Sequence, residues 1–374
     1  MTQTFSWLHL TDLHWGLQGC DELWPKLCQT LAEDIVTVQK TICTSYEAIF
    51  FTGDIVQNGD ASQFNTLNDR LRELKQAVEA LSSEPFDPYF FAVPGNHDLE
   101  RPAAELVSSG ACKLIDHWQD DPAIQEAIWS ADSTSPYFQL VKKAFQNYQQ
   151  WWDNFDVFKK PKIKSGLLPG DFSANFNLGN YKIGVVGLNS SFLQLDNRHY
   201  EGRLELDQRQ MDAVCESVND WPAQQVTNFL LTHHSANWLS DKGLKAYQEM
   251  LDPEHFAFHL CGHMHDSRTM NFKNNRSEKK SRIYQSSSLM GLDGYSVYDR
   301  GDITHVVDRR HGYSVGKLTF KEGKLYARLW PREVNLRQRA NLKFVPDFTM
   351  NLPFDSEGRY DGGTRAVVVG AYCV

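Results

Sequence analysis

Five short apolar runs punctuate the chain, and each stops abruptly at a polar cluster: FSWLHL at 5–10, EAIFF at 47–51, DPYFFAV at 87–93, VTNFLL at 226–231 and HFAFHL at 255–260. Runs this short, rich in Phe, Ile, Val and Leu and bounded by Gly or polar residues, read as buried strands. Between the first three runs, residues 20–44 read as a helix, and residues 61–82 as another with Phe64, Leu67, Leu71, Leu74 and Val78 at helical spacing. Strand, helix, strand, helix, strand predicts a doubly wound α/β beginning. YKIGVVGLNSS at 181–191 predicts a further central strand, and LDQRQMDAVCESV the helix after it. SRIYQSSSLM, HGYSVGKLTFKEG and KLYARLW predict later strands, the last two joined as a hairpin across Lys321-Glu322-Gly323.

From residue 100 to 165 the pattern turns helical without a strand. PYFQLVKKAFQNYQQWWDNF repeats aromatic or aliphatic residues at 138, 141, 145, 148, 152 and 155, one face of a long helix. This stretch reads as an insertion packed over or beside the crevice, its stripe facing either the core or the access route. The tail ends on an apolar strand, RAVVVGAYCV, which suits insertion into a sheet, an interface for self-association or a partner domain, or a boundary inside a longer protein. There is no internal repeat.

Composition adds limits rather than a fold. The hydrophobic fraction of 41% and charged fraction of 23% belong to an ordinary globule. A net charge of −9 argues against general nucleic-acid binding, though local basic runs occur at 158–166 and 273–282. Such runs are usually solvated loops, and they matter to function only if both rim the crevice, where they would hold a polyanion. Seven cysteines at 20, 28, 43, 112, 215, 261 and 373, with no C-x-x-C pair, fit reduced thiols. With no signal-like N-terminus and no membrane-length apolar segment, the expectation is a cytoplasmic protein that avoids membranes.

The polar clusters carry the chemistry. The runs end in Asp12-Leu13-His14, Gly53-Asp54, Gly95-Asn96-His97-Asp98, His233-His234 and Gly262-His263-Met264-His265. Ligands of open α/β sheets lie outside the carboxyl ends of strands, so these side chains are expected to converge on one crevice. Asp, Asn and His without Cys form a hard-to-borderline donor set suited to manganese, iron, zinc or magnesium, with manganese first among them. Seven candidate ligands exceed one ion's ordinary coordination. A carboxylate such as Asp54 can bridge two ions, and such a pair activates water and clamps the oxygens of an in-line displacement at phosphorus.

The ordered set D-L-H, G-D-I-V, G-N-H-D, H-H, G-H-M-H, spanning roughly residues 5–270, resembles the calcineurin-like metallophosphoesterases. The resemblance implies a four-layer α/β/β/α sandwich of two mixed sheets. It also implies that Asp12, His14, Asp54 and His265 hold one divalent metal ion and Asp54, Asn96, His233 and His263 a second. A hydroxide between the ions would attack phosphorus, and His97 would face the leaving group. Two departures narrow the branch: Asp98 stands where phosphoprotein phosphatases carry Glu, and Gln57 where purple acid phosphatases place a Tyr. The run GDIVQNGDASQFNTLNDRL followed by VPGNHD is more similar to bacterial cyclic-nucleotide phosphodiesterases and nucleases. GYSVGKLTF and KLYARLWPRE resemble segments of bacterial metallophosphoesterases from multidomain or defence-linked proteins.

The sequence therefore predicts a catalytic domain over 1–335 with a C-terminal extension over 336–374. Its function would be metal-dependent hydrolysis of a phosphodiester, the substrate a nucleic acid or a (cyclic) nucleotide. A phosphomonoesterase on the same site, or a binding module that has lost catalysis, is the alternative. His9, His255 and His259 lie inside strand runs and read as structural. His234 is the alternative to His233, because adjacent residues at a strand end point opposite ways, and Asp98 reads as the cap of a helix starting near Arg101-Pro102.

Overall fold

The computed structural model describes residues 2–371 apart from 83, 104–109, 111, 216–220, 253, 266, 274–279, 291–292, 300–301, 309–310, 322–323, 335–341 and 348–366; at 268–281, 293–308 and 367–371 it describes the backbone alone. In chain order the first strands are β1 (Gln3–Leu10), β2 (Ala48–Thr52), β3 (Tyr89–Val93), β4 (Ile163–Ser165), β5 (Phe172–Leu178), β6 (Tyr181–Gly187), β7 (Thr227–Leu231) and β8 (Phe256–Cys261). They are followed by β9 (Arg268–Lys273), β10 (Lys280–Gln285), β11 (Asp293–Asp299), β12 (Asp302–Asp308), β13 (Gly312–Lys321), β14 (Lys324–Val334), β15 (Phe344–Pro346) and β16 (Val367–Ala371).

Two mixed sheets result. One runs β15-β14-β13-β1-β2-β3, with β16 also on β14, and the other β4-β5-β6-β7-β8-β10-β9; β11 and β12 pair by themselves. β1, β2 and β3 are parallel neighbours, as are β6, β7 and β8, so the carboxyl ends of all six point toward the same crevice. The strands named from the last apolar runs form as expected, β13 and β14 being the predicted hairpin. The tail strand β16 pairs with β14 inside the chain, and β15 does too, so the described strands past residue 335 extend the first sheet.

Alternation along β1 to β3 explains the layers, since successive side chains leave a strand on opposite faces. Phe5, Trp7, Phe50, Phe91 and Val93 turn to the inter-sheet core, where they meet Phe172, Val185, Phe229 and Leu260. Leu8, Leu10, Ile49, Phe51 and Phe90 turn outward against α1 (Cys20–Ile42) and α2 (Ala61–Leu81). A third core covers the outer face of the second sheet. These layers make the α/β/β/α sandwich. No helix among the described residues is long and apolar enough to cross a membrane.

The insertion departs from its prediction in one respect. Instead of one long helix, its four described helices are α3 (Cys112–His117), α4 (Pro122–Trp129), α5 (Pro136–Ala144) and α6 (Gln146–Asp153), with the break at Phe145. The break divides the stripe. Phe138, Val141 and Phe145 join the core on the second sheet. Tyr148, Trp151, Trp152 and Phe155 join Phe64 and Phe90 on the first. A single helix could not present one face to both layers, so the change of direction at Phe145 is what lets each half bury its aromatics. The insertion thus packs beside the crevice, reaching it through the Glu100 N–H on the Ala144 carbonyl and the Asn147 amide on the Gly59 carbonyl.

Lys159 and Lys160 also settle away from the crevice. The Lys159 carbonyl accepts from Phe90 N–H at the start of β3, whereas Asn96 follows its end. Lys160 donates to the carbonyls of Trp152 and Asp153. The run at 273–282 lies largely outside the described residues.

Candidate metal centre

All seven residues expected as ligands meet where five strands end. The Asp12 N–H donates to the Gly53 carbonyl at 3.0 Å and the His14 N–H to the Asp54 carbonyl at 2.9 Å, so the loops after β1 and β2 are held side by side. Leu289 N–H on the Thr11 carbonyl and the Ser288 hydroxyl on the Asp12 carbonyl close the other flank. Gly95 and Gly262 must be glycines for this approach: a Cβ would lie 2.1 Å from Asp54 Oδ1 at the first and 1.9 Å from Thr11 Oγ1 at the second.

The donors face one another with little between them. His14 Nε2 is 3.2 Å from His265 Nε2, and His265 Nε2 is 3.4 Å from Asp12 Oδ1. His233 Nε2 is 3.1 Å from Asn96 Oδ1 and 3.2 Å from His263 Nδ1. Asp54 stands between the two groups, its Oδ2 3.2 Å from His233 Nε2 and 3.8 Å from His14 Nε2. Its other oxygen, Oδ1, accepts the His97 N–H at 2.8 Å. Nitrogen lone pairs aimed at one point repel unless a proton or a cation lies among them, so the set suits a cation. Asp12 Oδ1 agrees: it is fully buried and has no hydrogen-bond partner.

Backbone strain marks the same place. Among the described residues, six non-glycines have positive φ, and five are Asp12 (52°), His14 (47°), Asp54 (52°), His263 (76°) and His265 (58°). Such conformations cost free energy and persist where the surroundings over-determine them, commonly at functional sites.

Inside the cluster, burial and neighbouring charges oppose one another. Burial pushes the Asp12 carboxyl up, but the neighbouring His265, and His233 after it, outweigh that and hold it at about 2. Asp54 is likewise held well below the usual range, burial opposing and the histidines, His233 foremost, prevailing. Burial lowers His14 to about 4 and His263 to about 3, leaving both rings neutral and able to offer a lone pair. His233 is opposed by burial yet raised to about 9 by the Asp54 carboxylate. Its Nδ1 faces the Thr52 carbonyl at 2.8 Å, so Nδ1 carries the proton and Nε2 points into the site.

The remaining sequence candidates divide clearly. His97 Nδ1 lies 2.8 Å from the Gln57 carbonyl, and its ring stands edge-on to His14 at 4.8 Å. His234 turns the opposite way from His233, with Nδ1 3.0 Å from the Ser190 hydroxyl, though a ring nitrogen stays within 4.8 Å of those of His233 and His263. His9 and His259 are structural, bonded to Thr52 and to Thr232 and Tyr247. Asp98 is corrected: no described helix starts at Arg101. Its carboxylate instead accepts the N–H groups of Ile55, Val56 and Gly95 at 2.8, 2.9 and 2.7 Å, joining the Asp54 loop to the Asn96 loop. Burial and the Asp54 charge push it up to about 7, against the Gly95 and Val56 N–H groups.

Sequence reasoning missed Ser190, which accepts the His234 N–H, and Trp238, whose ring stands 4.2 Å from His263. Ser190 had a signal, for it follows the end of β6 as the other polar clusters follow theirs. Trp238 had none.

The family model described as Calcineurin-like phosphoesterase matches residues 5–267. No curated protein matches the sequence. Among solved structures, the inner membrane complex anchor of Plasmodium is similar at 12% identity and TM-score 0.43, over 88% of this chain and 84% of that one. A Staphylococcus aureus protein described as a 5′-nucleotidase is similar at 11% identity and TM-score 0.39, over 95% and 56% of the two chains. The NAD nucleotidase of Haemophilus influenzae is similar at 11% identity and TM-score 0.44, over 92% and 54%. The chain thus spans little more than half of either nucleotidase.

Proposed function

The chain belongs to the calcineurin-like phosphoesterases, a family of metal-dependent phosphoester hydrolases, and we propose that it is a dinuclear phosphodiesterase acting on a nucleic acid or a (cyclic) nucleotide. Asp12, His14, Asp54 and His265 would hold one ion and Asp54, Asn96, His233 and His263 the other, with manganese proposed and iron, zinc or magnesium compatible with the same donors. The observation that carries this reading is the position of Asp54 Oδ2 between His14 and His233. When bound, the ions supply Lewis acidity toward phosphoryl oxygens and lower the pKa of water.

The chain's own residues then do the following. The His97 N–H fixes Asp54 Oδ1, leaving Oδ2 to face both donor groups. With Nδ1 donating to the Gln57 carbonyl, the His97 ring offers Nε2 as its free end. That nitrogen is proposed to hold the proton given to the departing alkoxide. Such donation contributes about 10² to 10⁴ in rate when the leaving group is poor. Asp98 keeps the two loops in register, and so keeps His97 aimed.

A manganese-reconstituted preparation tests the reading against bis-p-nitrophenyl phosphate, p-nitrophenyl phosphate, cyclic nucleotides and single- and double-stranded nucleic acid. Diester cleavage with little turnover of p-nitrophenyl phosphate is expected. Preference for the monoester would overturn the diester assignment, and at most one ion per fully active chain would overturn the dinuclear one.

A further inference from the structure

Among the described residues, Arg101 is a cation with no anion. Arg70, Arg72, Arg198, Arg209 and Arg332 each meet a carboxylate. Arg101 meets none among the described residues; its one bond is Nη2 to the Asn96 carbonyl at 3.5 Å, and its buried Nε has no partner. A guanidinium has five N–H donors in a planar fork, so a single contact this long leaves most of them unused. Of the nearby acids along the chain, Glu105 lies outside the described residues and the other two are already engaged. Glu100 accepts from Asn147 at 3.2 Å, and Asp98 accepts from three backbone N–H groups.

Position gives this isolation a meaning. Asn96 points its amide oxygen at His233, 3.1 Å away, while its carbonyl receives Arg101. The guanidinium therefore bonds the backbone of a residue whose side chain faces the donor cluster. Planar, bidentate binding of phosphate is what arginine does better than lysine.

We propose that Arg101 binds a second phosphate of the substrate, adjacent to the ester that is cleaved, so that the site selects a phosphodiester with a neighbouring phosphate, as a nucleic-acid strand has. This rests on the phosphodiesterase reading and narrows its substrate class, disfavouring cyclic mononucleotides.

The test uses dithymidylate whose internal link is a slowly hydrolysed phosphorothioate, bare or with a terminal phosphate at the 5′ or 3′ end, titrated calorimetrically into the metal-loaded protein. Wild type is expected to bind one terminally phosphorylated form roughly tenfold or more tightly than the bare one, the size of a charge-assisted contact. Arg101→Gln, which keeps an N–H for the Asn96 carbonyl, should bring that ratio to within about twofold, Arg101→Lys should restore part of it, and metal content should not change. Wild type without the preference, or Arg101→Gln retaining it, overturns the proposal. The ordinary phosphodiester dinucleotides are assayed in parallel: if the preference depends on Arg101 but no diester is cleaved, the phosphodiesterase reading fails and the Arg101 site stands.

Discussion

The crevice and the helical insertion are built from opposite materials. At the crevice, five non-glycine residues hold left-handed backbone, donor atoms face one another at 3.2 Å, and a buried carboxylate oxygen of Asp12 lacks a partner. In the insertion, aromatic rings stack in ordinary pairs, such as Phe64 on Trp151 at 5.5 Å and Phe90 on Phe155 at 4.6 Å. The Trp151 N–H is satisfied by Asn68 and the Tyr148 hydroxyl by the Ala92 carbonyl. One region holds strained backbone and facing donor atoms, and the other holds satisfied, ordinary packing. Substitutions should therefore separate cleanly, those at the crevice costing activity and those in the insertion costing stability.

The largest effect is expected at Asp54. Asp54→Ala should lose both ions and roughly 10³-fold or more in turnover, since Lewis-acid stabilisation is worth several kcal/mol. His14→Ala should mainly weaken one ion. Elemental analysis with a diester assay checks both variants, and unchanged turnover in Asp54→Ala would erase the contrast between the regions.

His97→Asn comes next. It should keep both ions and cut turnover of alkyl diesters by about 10² to 10⁴, with far less effect on p-nitrophenyl esters, whose leaving group needs no proton. Equal losses on both substrates would mean that the ring positions phosphate instead.

From the other side of the comparison, Trp152→Ala should lower stability by about 3 to 5 kcal/mol, as for other large core aromatics, and Trp151→Ala similarly. Turnover of a small diester by the remaining folded protein should hold. Altered turnover at normal stability would turn the insertion from packing into a lid.

The smallest effect tests whether buried carboxylates outside the crevice behave as packing does. Asp171 is fully buried and pushed up to about 7, chiefly by burial, although Leu168 N–H, Asn189 N–H and Gln210 bind it. Its folded value lies above its unfolded one, so the folded state holds the proton longer. The contribution is present in acid and is lost as pH rises from about 4 toward about 7, by at most about 4 kcal/mol. Unfolding temperature against pH should show that slope in wild type and not in Asp171→Asn; parallel curves would show that the carboxyl stays ionised in the fold.

The sequence alone determined the strand runs, their parallel opening and the chemistry at their ends. Those are local properties: period and residue type decide burial and turn, and Asp, Asn and His placed just past an apolar run declare a polar crevice whatever the rest of the chain does. Asp12, His14, Asp54, Asn96, His233, His263 and His265 were legible for that reason. Tertiary structure decided what no local pattern encodes, namely the partner. Helical spacing from 138 to 155 announces burial, but the break at Phe145 and the sharing of the stripe between two cores depend on two sheets brought together from distant segments. Asp98 looks like a cap until the Asp54 loop arrives to donate Ile55 and Val56 N–H groups to it. Arg101 looks like any surface cation until packing brings it to the Asn96 carbonyl beside the crevice loops. A side chain's type travels with the sequence, whereas its partner depends on which surfaces the folded layers bring within a few ångströms of each other.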